Sequence, residues 1–179
     1  RLPLYFDPAG TGYVARTAGY QLSLDHNRAA IGFGKDSLTL QSHACLLTGC
    51  LPAVHGIRDN LGYSLSPAVE TLPTLLGRNG YATGGAVSAI VLSSGSGISR
   101  GFDFYDDAVE PTEAHQVVGR VQRPGDQTAA ALEAWIDGVA SRPFLAFLHL
   151  YEPHSPYTPP EPWKSRYADS PYDGEVAAA

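Results

Sequence analysis

Two apolar runs, each preceded by an amphipathic stretch, constrain the fold of this 179-residue chain more than any other feature. The apolar spacing over 70–78 predicts a helix, and residues 86–92 behind it are almost entirely apolar. A second amphipathic helix is predicted over 126–141, followed by the unbroken apolar run 144–150. This helix–strand–helix–strand order predicts an α/β fold with a mainly parallel sheet, its strands buried on both faces. In such folds the functional loops lie at the carboxyl ends of the strands.

Three further stretches give local predictions. Residues 24–33 favour a short helix, and residues 93–99 favour a flexible Gly/Ser loop. A helix is predicted over 42–48, with Ser42 able to cap its start and Gly49 able to end it.

Composition excludes several classes of protein. Hydrophobic residues make up 44% and charged residues 17%, which suits a folded domain with a sizeable core. Twelve basic against eighteen acidic residues give a net charge of −6, so the chain lacks the basic stripe of a nucleic-acid binder. No apolar run is long enough to cross a bilayer, and two cysteines are too few for a disulfide-stapled fold. The chain contains no methionine, even at position 1, so we expect a piece of a longer protein.

The first candidate site surrounds Thr39. This residue lies just before the predicted helix, with Ser42 and His43 within four residues. Free backbone N–H groups and the helix dipole favour an anion at such an end. A threonine Oγ beside a bound tetrahedral ester is placed to attack it, provided that its pKa is lowered. The same residues also fit a helix cap with a surface histidine, and spacing alone leaves both interpretations open.

The stretch from Thr39 to Ile57 resembles the nucleophile segment of the alkaline phosphatase superfamily, closest to its sulfatase-like and phosphodiesterase-like branches: TLQSHACLLTGCLPAVHGI. Further segments resemble the sulfatase-like pattern in the same order. They are TLPTLLGRNGYAT (71–83), RGFDFYDD (100–107), PFLAFLHLYEPHSP (143–156) and DGEV (173–176). The ordered set is far more specific than any single segment.

The resemblance implies a three-layer α/β/α sandwich with a mainly parallel sheet, and metal-dependent cleavage of sulfate or phosphate esters. Thr39 stands where sulfatases proper carry the cysteine that becomes formylglycine, which threonine cannot form; the phosphodiesterase-like branch uses threonine there. His43 takes the place of the family's arginine, and we assign it to catalysis and Ser42 to substrate binding. His154 matches a histidine that the family directs at the ester oxygens, which suits a proton donor. Cys50 begins like a formylglycine motif but lacks its Ser and Arg, and is interpreted as structural.

The family's divalent metal, whether Ca, Mg, Mn or Zn, has few candidate ligands here. Asp7 ends an apolar stretch and is the one residue that matches the family's first acidic ligands. It equally fits a turn before Pro8, and the partner acid expected over 9–12 is missing. A later Asp–His pair of the pattern would fall after residue 179, so the predicted metal site is incomplete.

We therefore predict one partial sulfatase-like catalytic domain over 1–179, in which 1–38 is a poorly matched N-terminal part. Its expected partner is a sulfate- or phosphate-ester substrate, with no nucleic acid and no membrane segment. Family members are often exported, which favours a periplasmic or secreted protein. Two functions stay open: a hydrolase that uses Thr39, and a non-catalytic α/β domain that binds an anion or a partner without turnover.

Overall fold

The computed structural model describes residues 7–9, 12–16, 20–25, 28–33, 38–110, 121–139 and 141–179, with side chains from residue 38 onward. The chain divides into two compact units, Arg1–Val69 and Glu70–Ala179.

The first unit begins with an antiparallel sheet of four strands in sequential order. The strands are β1 (Asp7–Ala9), β2 (Gly12–Arg16), β3 (Tyr20–Asp25) and β4 (Arg28–Phe33). The helix predicted over 24–33 is therefore wrong. Apolar residues alternate along β3 with the period of a strand, and the Asp25–Arg28 pairing leaves only two residues between β3 and β4, as in a tight hairpin. Asp7 belongs to β1 rather than to a turn.

Helix α1 (Thr39–Thr48) starts three residues before the predicted helix and ends, as predicted, at Gly49 in the left-handed conformation. Ser42 does not cap it. The N-cap residue is Leu38, which provides no side-chain hydrogen bond, and Ser42 lies one turn inside the helix. A short helix, α2 (Pro52–His55), follows.

His55 lies in the core of the first unit. It is fully buried, its Nε2 lies 3.2 Å from Cys45 Sγ, and its Nδ1 accepts from the N–H of Ile57 at 3.2 Å. The imidazole proton is therefore on Nε2 and is donated to sulfur. Desolvation raises the pKa of Cys45 to about 11, and the nearby Cys50 thiol makes a smaller contribution in the same direction. Burial lowers the pKa of His55. The pair is a thiol and a neutral imidazole, which packs the core rather than providing a reactive thiolate.

The second unit is built on a parallel sheet, as predicted. Strand β5 (Ala82–Val87) lies between β6 (Phe104–Asp106) and β7 (Phe144–His149), and both pairings are parallel. Strand β5 begins four residues before the predicted run, and the end of that run forms a 3-10 turn, Ile90–Leu92.

The two predicted strands differ in burial. Every residue of β5 is buried, whereas Phe144, Ala146 and Leu148 of β7 are exposed. The prediction that β7 is buried on both faces is wrong. An apolar sequence shows that a strand can be buried, but not that other elements cover it. Among the described residues β7 pairs with a neighbour on one side only, so it lies at the edge of the sheet.

Two helices pack against β5. Helix α3 (Leu72–Arg78) begins after Thr71, whose Oγ1 accepts from Thr74 N at 3.3 Å. Helix α4 (Gly125–Val139) places Trp135 between Phe104, at 5.9 Å between ring centroids, and Phe144, at 6.1 Å. A Cβ on Gly84 would overlap the indole of Trp135, so glycine lets α4 approach the central strand.

The stretch over 93–99, predicted as a flexible loop, is an ordered turn. Ser94–Ser96 form a 3-10 turn, Ser94 N donates to Asp107 Oδ2 at 2.6 Å, and Ile98 is fully buried.

The chain continues beyond β7 through a proline-rich loop, 150–162, into two helices. These are α5 (Trp163–Arg166) and α6 (Pro171–Ala178). None of the helices in the described part of the chain has the length and apolar character needed to cross a bilayer.

Candidate active site

Thr39 is the first residue of α1 and is half-buried. The first turn contains no acidic side chain, and the N-cap residue Leu38 provides no side-chain hydrogen bond, so the positive end of its dipole is not neutralised from within α1. Among the described residues, Thr39 Oγ1 has no hydrogen-bond partner. This placement is what a nucleophile beside a bound anion requires.

His43 is fixed to the same turn. Its Nδ1 lies 2.7 Å from the carbonyl oxygen of Thr39, and because a carbonyl only accepts, Nδ1 carries the proton. Desolvation by burial lowers the pKa of His43, against the smaller opposite effect of this hydrogen bond. The imidazole is therefore neutral near pH 7, the state that a proton acceptor needs.

Ser42 uses its hydroxyl within the helix. The side chain is buried, and Oγ donates to the Thr39 carbonyl at 3.0 Å. Both Ser42 and His43 thus donate to the carbonyl of Thr39 and hold the backbone of that residue. The role of Ser42 in substrate binding stays a prediction.

Asn60 provides the hydrogen bond that α1 lacks at its start. Its Oδ1 accepts from Leu40 N at 2.9 Å, so a loop residue 20 positions later satisfies one N–H of the first turn. Sequence analysis missed this residue, because no local capping pattern joins positions 40 and 60.

His154 lies in the loop at the carboxyl end of β7, as the parallel sheet predicts. The side chain is exposed, and its ring lies 4.3 Å from the ring of Tyr151. Nδ1 lies 2.8 Å from the carbonyl oxygen of Ser155, so Nδ1 carries the proton in the neutral ring. The backbone N–H of His154 donates to Glu175 Oε2 at 3.2 Å.

A second polar group at this edge of the sheet was not predicted. Arg123 donates to Asp106 Oδ1 at 2.5 Å, to Thr128 Oγ1 at 3.0 Å and to the carbonyl of Val87 at 3.2 Å. Ser88 Oγ lies 2.6 Å from Thr128 Oγ1. These bonds join β5, β6 and α4 at the carboxyl edge of the sheet. Because the Arg123 guanidinium donates to groups of the protein itself, we assign it a structural role.

The described side chains do not form a metal site. In the ranges 38–110, 121–139 and 141–179, no three His, Cys, Asp or Glu residues lie close enough together to hold an ion. Asp7, the predicted ligand, has its backbone in β1, and its side chain lies outside the described residues. Thr39 belongs to the first unit and His154 to the second, and the catalytic roles of both stay predictions.

The parallel sheet of the second unit and the helices packed against it define an α/β protein. The family model called Sulfatase matches residues 27–178, and the chain therefore belongs to the sulfatase family.

Two solved structures share its fold. BT4656, solved in complex with its substrate D-glucosamine-2-N,6-O-disulfate, matches with a TM-score of 0.53 and 21% identity over 74% of this chain and 28% of that chain. Ps i-CgsB matches with a TM-score of 0.59 and 19% identity over 77% of this chain and 41% of that chain. The chain thus spans less than half of either protein. No curated protein matches it. These likenesses confirm the predicted fold class.

Proposed function

We propose that this chain carries the nucleophile part of a sulfatase-family hydrolase, with Thr39 attacking a sulfate or phosphate ester. The observation that carries the proposal is the position of Thr39 at the N-terminus of α1 in a member of this family, where its hydroxyl has no partner among the described residues. The fold supports the same assignment, since anions bind at helix N-termini.

The proposed reaction has two displacements. Thr39 Oγ forms a bond to sulfur or phosphorus, its proton passes to neutral His43, and the bond to the ester oxygen breaks. His154 in its protonated form gives the proton on Nε2 to the departing oxygen, while Nδ1 keeps the proton that it donates to the Ser155 carbonyl. Water then attacks the same sulfur or phosphorus and gives a proton to Nε2 of His154, and the bond to Thr39 breaks as protonated His43 returns its proton to Oγ.

Sulfatases generally use a divalent metal, and we propose one for the complete protein, with Asp7 as a candidate ligand. The described side chains do not fit such a site, so no step above is assigned to the ion. The substrate class is a sulfate or phosphate ester, and BT4656, which was solved with a sulfated amino sugar, makes sulfated sugars a reasonable first set to test.

The test uses the native protein with aryl sulfates and aryl phosphates in the presence of each divalent metal. Thr39→Ala is expected to lower kcat by a factor of about a thousand or more, because the nucleophile is lost. Thr39→Ser keeps a hydroxyl and should retain part of the activity. The matched control is Thr48→Ala, the same change at the other end of α1, where the hydroxyl donates to the Ala44 carbonyl at 2.6 Å. Full activity of Thr39→Ala would contradict the proposal.

The lack of a metal-ligand cluster among the described residues favours one alternative, a family member that binds an anion without turnover. In that case inorganic sulfate should raise the melting temperature of the native protein. No ester should be cleaved with Ca, Mg, Mn or Zn. Thr39→Ala should reduce the rise in melting temperature that sulfate causes and should not change the melting temperature without sulfate.

A further inference from the structure

Glu175 is a buried carboxylate whose two oxygens both bind the backbone of the loop that carries His154. The residue is 4% exposed. Its Oε2 accepts from His154 N at 3.2 Å, and its Oε1 accepts from Thr158 N at 2.5 Å. A carboxylate is costly to bury unless such hydrogen bonds compensate, so the loop and Glu175 depend on each other.

Helix α6 also contacts this loop beside Glu175. A Cβ on Gly174 would lie 2.8 Å from Pro159 Cγ, so the absence of a side chain at residue 174 permits the close approach. Tyr172 packs edge-on against Tyr157, with 5.5 Å between ring centroids. Three successive parts of the loop, at 154, 157–158 and 159, therefore rest on residues 172–175 of one helix.

We infer that Glu175 is the positioning residue for His154: by binding the backbone N–H of His154 and of Thr158, it sets where the imidazole points. The inference rests on the proposed role of His154 as proton donor. Among the described residues, the exposed ring contacts the Ser155 carbonyl and the Tyr151 ring, which both belong to the same loop, so its direction follows from the loop backbone that Glu175 holds. A donor displaced by an ångström loses much of its effect.

The first experiment compares Glu175→Gln and Glu175→Ala with the native protein. Gln keeps one acceptor oxygen and loses the charge, so kcat should fall about tenfold with KM within about twofold, and Ala should lower kcat further. The limb of the kcat–pH profile that depends on the proton donor should shift in both. Glu161→Gln is the matched control, because Glu161 also accepts from a backbone N–H and a hydroxyl, both of Ser165, but is exposed. Its kcat and pH profile should not change.

A second readout does not need turnover. Amide hydrogen exchange of residues 153–158 should be faster in both Glu175 variants, while exchange in β5 stays unchanged. If the native protein hydrolyses no ester, the proposed function fails, and the exchange experiment still tests whether Glu175 holds the loop.

Two further variants keep the inference falsifiable. In a His154→Ala background, Glu175→Gln should lower kcat no further, because it acts through His154. If the Glu175 variants do not fold, Thr158→Pro removes one of the two donors without changing α6, and it should produce the same loss of kcat. Unchanged kcat and unchanged exchange in the loop, or an undiminished effect of Glu175→Gln without His154, would overturn the inference.

Discussion

The two histidines proposed for catalysis are held in opposite ways. His43 is half-buried and is tied to its own helix by a bond to the Thr39 carbonyl, four positions earlier. His154 is exposed, and its backbone is held by Glu175, 21 positions later. The described hydrogen bond of His43 thus lies within one helix, whereas the position of His154 depends on packing between β7, its loop and α6. Changes at the first should affect stability and turnover together, and changes at the second should affect turnover alone.

The largest expected effect comes from His154. His154→Ala should lower kcat by about 10²–10⁴-fold, as loss of a proton donor does. Because the side chain is exposed, the free energy of unfolding should change by no more than about 0.5 kcal/mol. Steady-state kinetics and urea unfolding measure the two quantities. Ser155→Ala, an exposed neighbour, is the control and should change neither. A large loss of stability in His154→Ala would remove the contrast between the two histidines.

His43→Ala should change both quantities. It removes a hydrogen bond within α1 and a half-buried ring, so we expect a loss of about 1–2 kcal/mol in unfolding free energy, together with lower turnover. The same kinetic and urea measurements apply. Unchanged stability would mean that the bond to Thr39 contributes nothing to the helix.

Asn60 tests how far the first site depends on a distant residue. Asn60→Ala leaves the N–H of Leu40 without its acceptor and should cost about 1 kcal/mol, the usual value of a lost N-terminal cap. Asn79→Ala is the matched control, since its amide donates to the Leu75 carbonyl in an exposed position and should cost less. Equal losses of unfolding free energy in the two variants would show that the bond from Leu40 to Asn60 stabilises the protein no more than the exposed bond of Asn79 does.

The smallest effect concerns pH. Burial lowers the folded-state pKa of both His43 and His55 below the ordinary histidine value of 6.5. Between the folded and unfolded pKa values the unfolded chain binds more protons, so stability is fully present above about pH 6.5 and falls as the solution becomes more acidic. Unfolding free energies measured from pH 8 to pH 5 should show this slope, and His43→Gln should make it shallower. A slope of opposite sign would contradict the neutral state of both rings.

The difference between contacts within one element and contacts between distant parts of the chain also explains how much could be predicted from the sequence. The end of α1 at Gly49, the parallel sheet and the position of His154 after β7 follow from local signals and from the order of elements. Asn60 and Glu175 could not be found in this way, because each acts on backbone 17 to 21 positions away through a contact that only the folded chain creates. The exposure of β7 was missed for a related reason, since an apolar run does not show which neighbours cover it.

The register of the parallel sheet has a consequence for the order of folding. Strand β5 pairs with β6 about twenty residues later, Gly84 with Phe104, but with β7 only about sixty residues later, Ala82 with Phe144. Closing the longer loop costs more entropy, and contacts between distant positions form slowly. We expect β5, β6 and α3 to associate first and β7 to join last, during synthesis as well as in refolding. The loop that carries His154 follows β7 and is held by α6, so it would reach its place only after β7 has paired with β5 and α6 has formed.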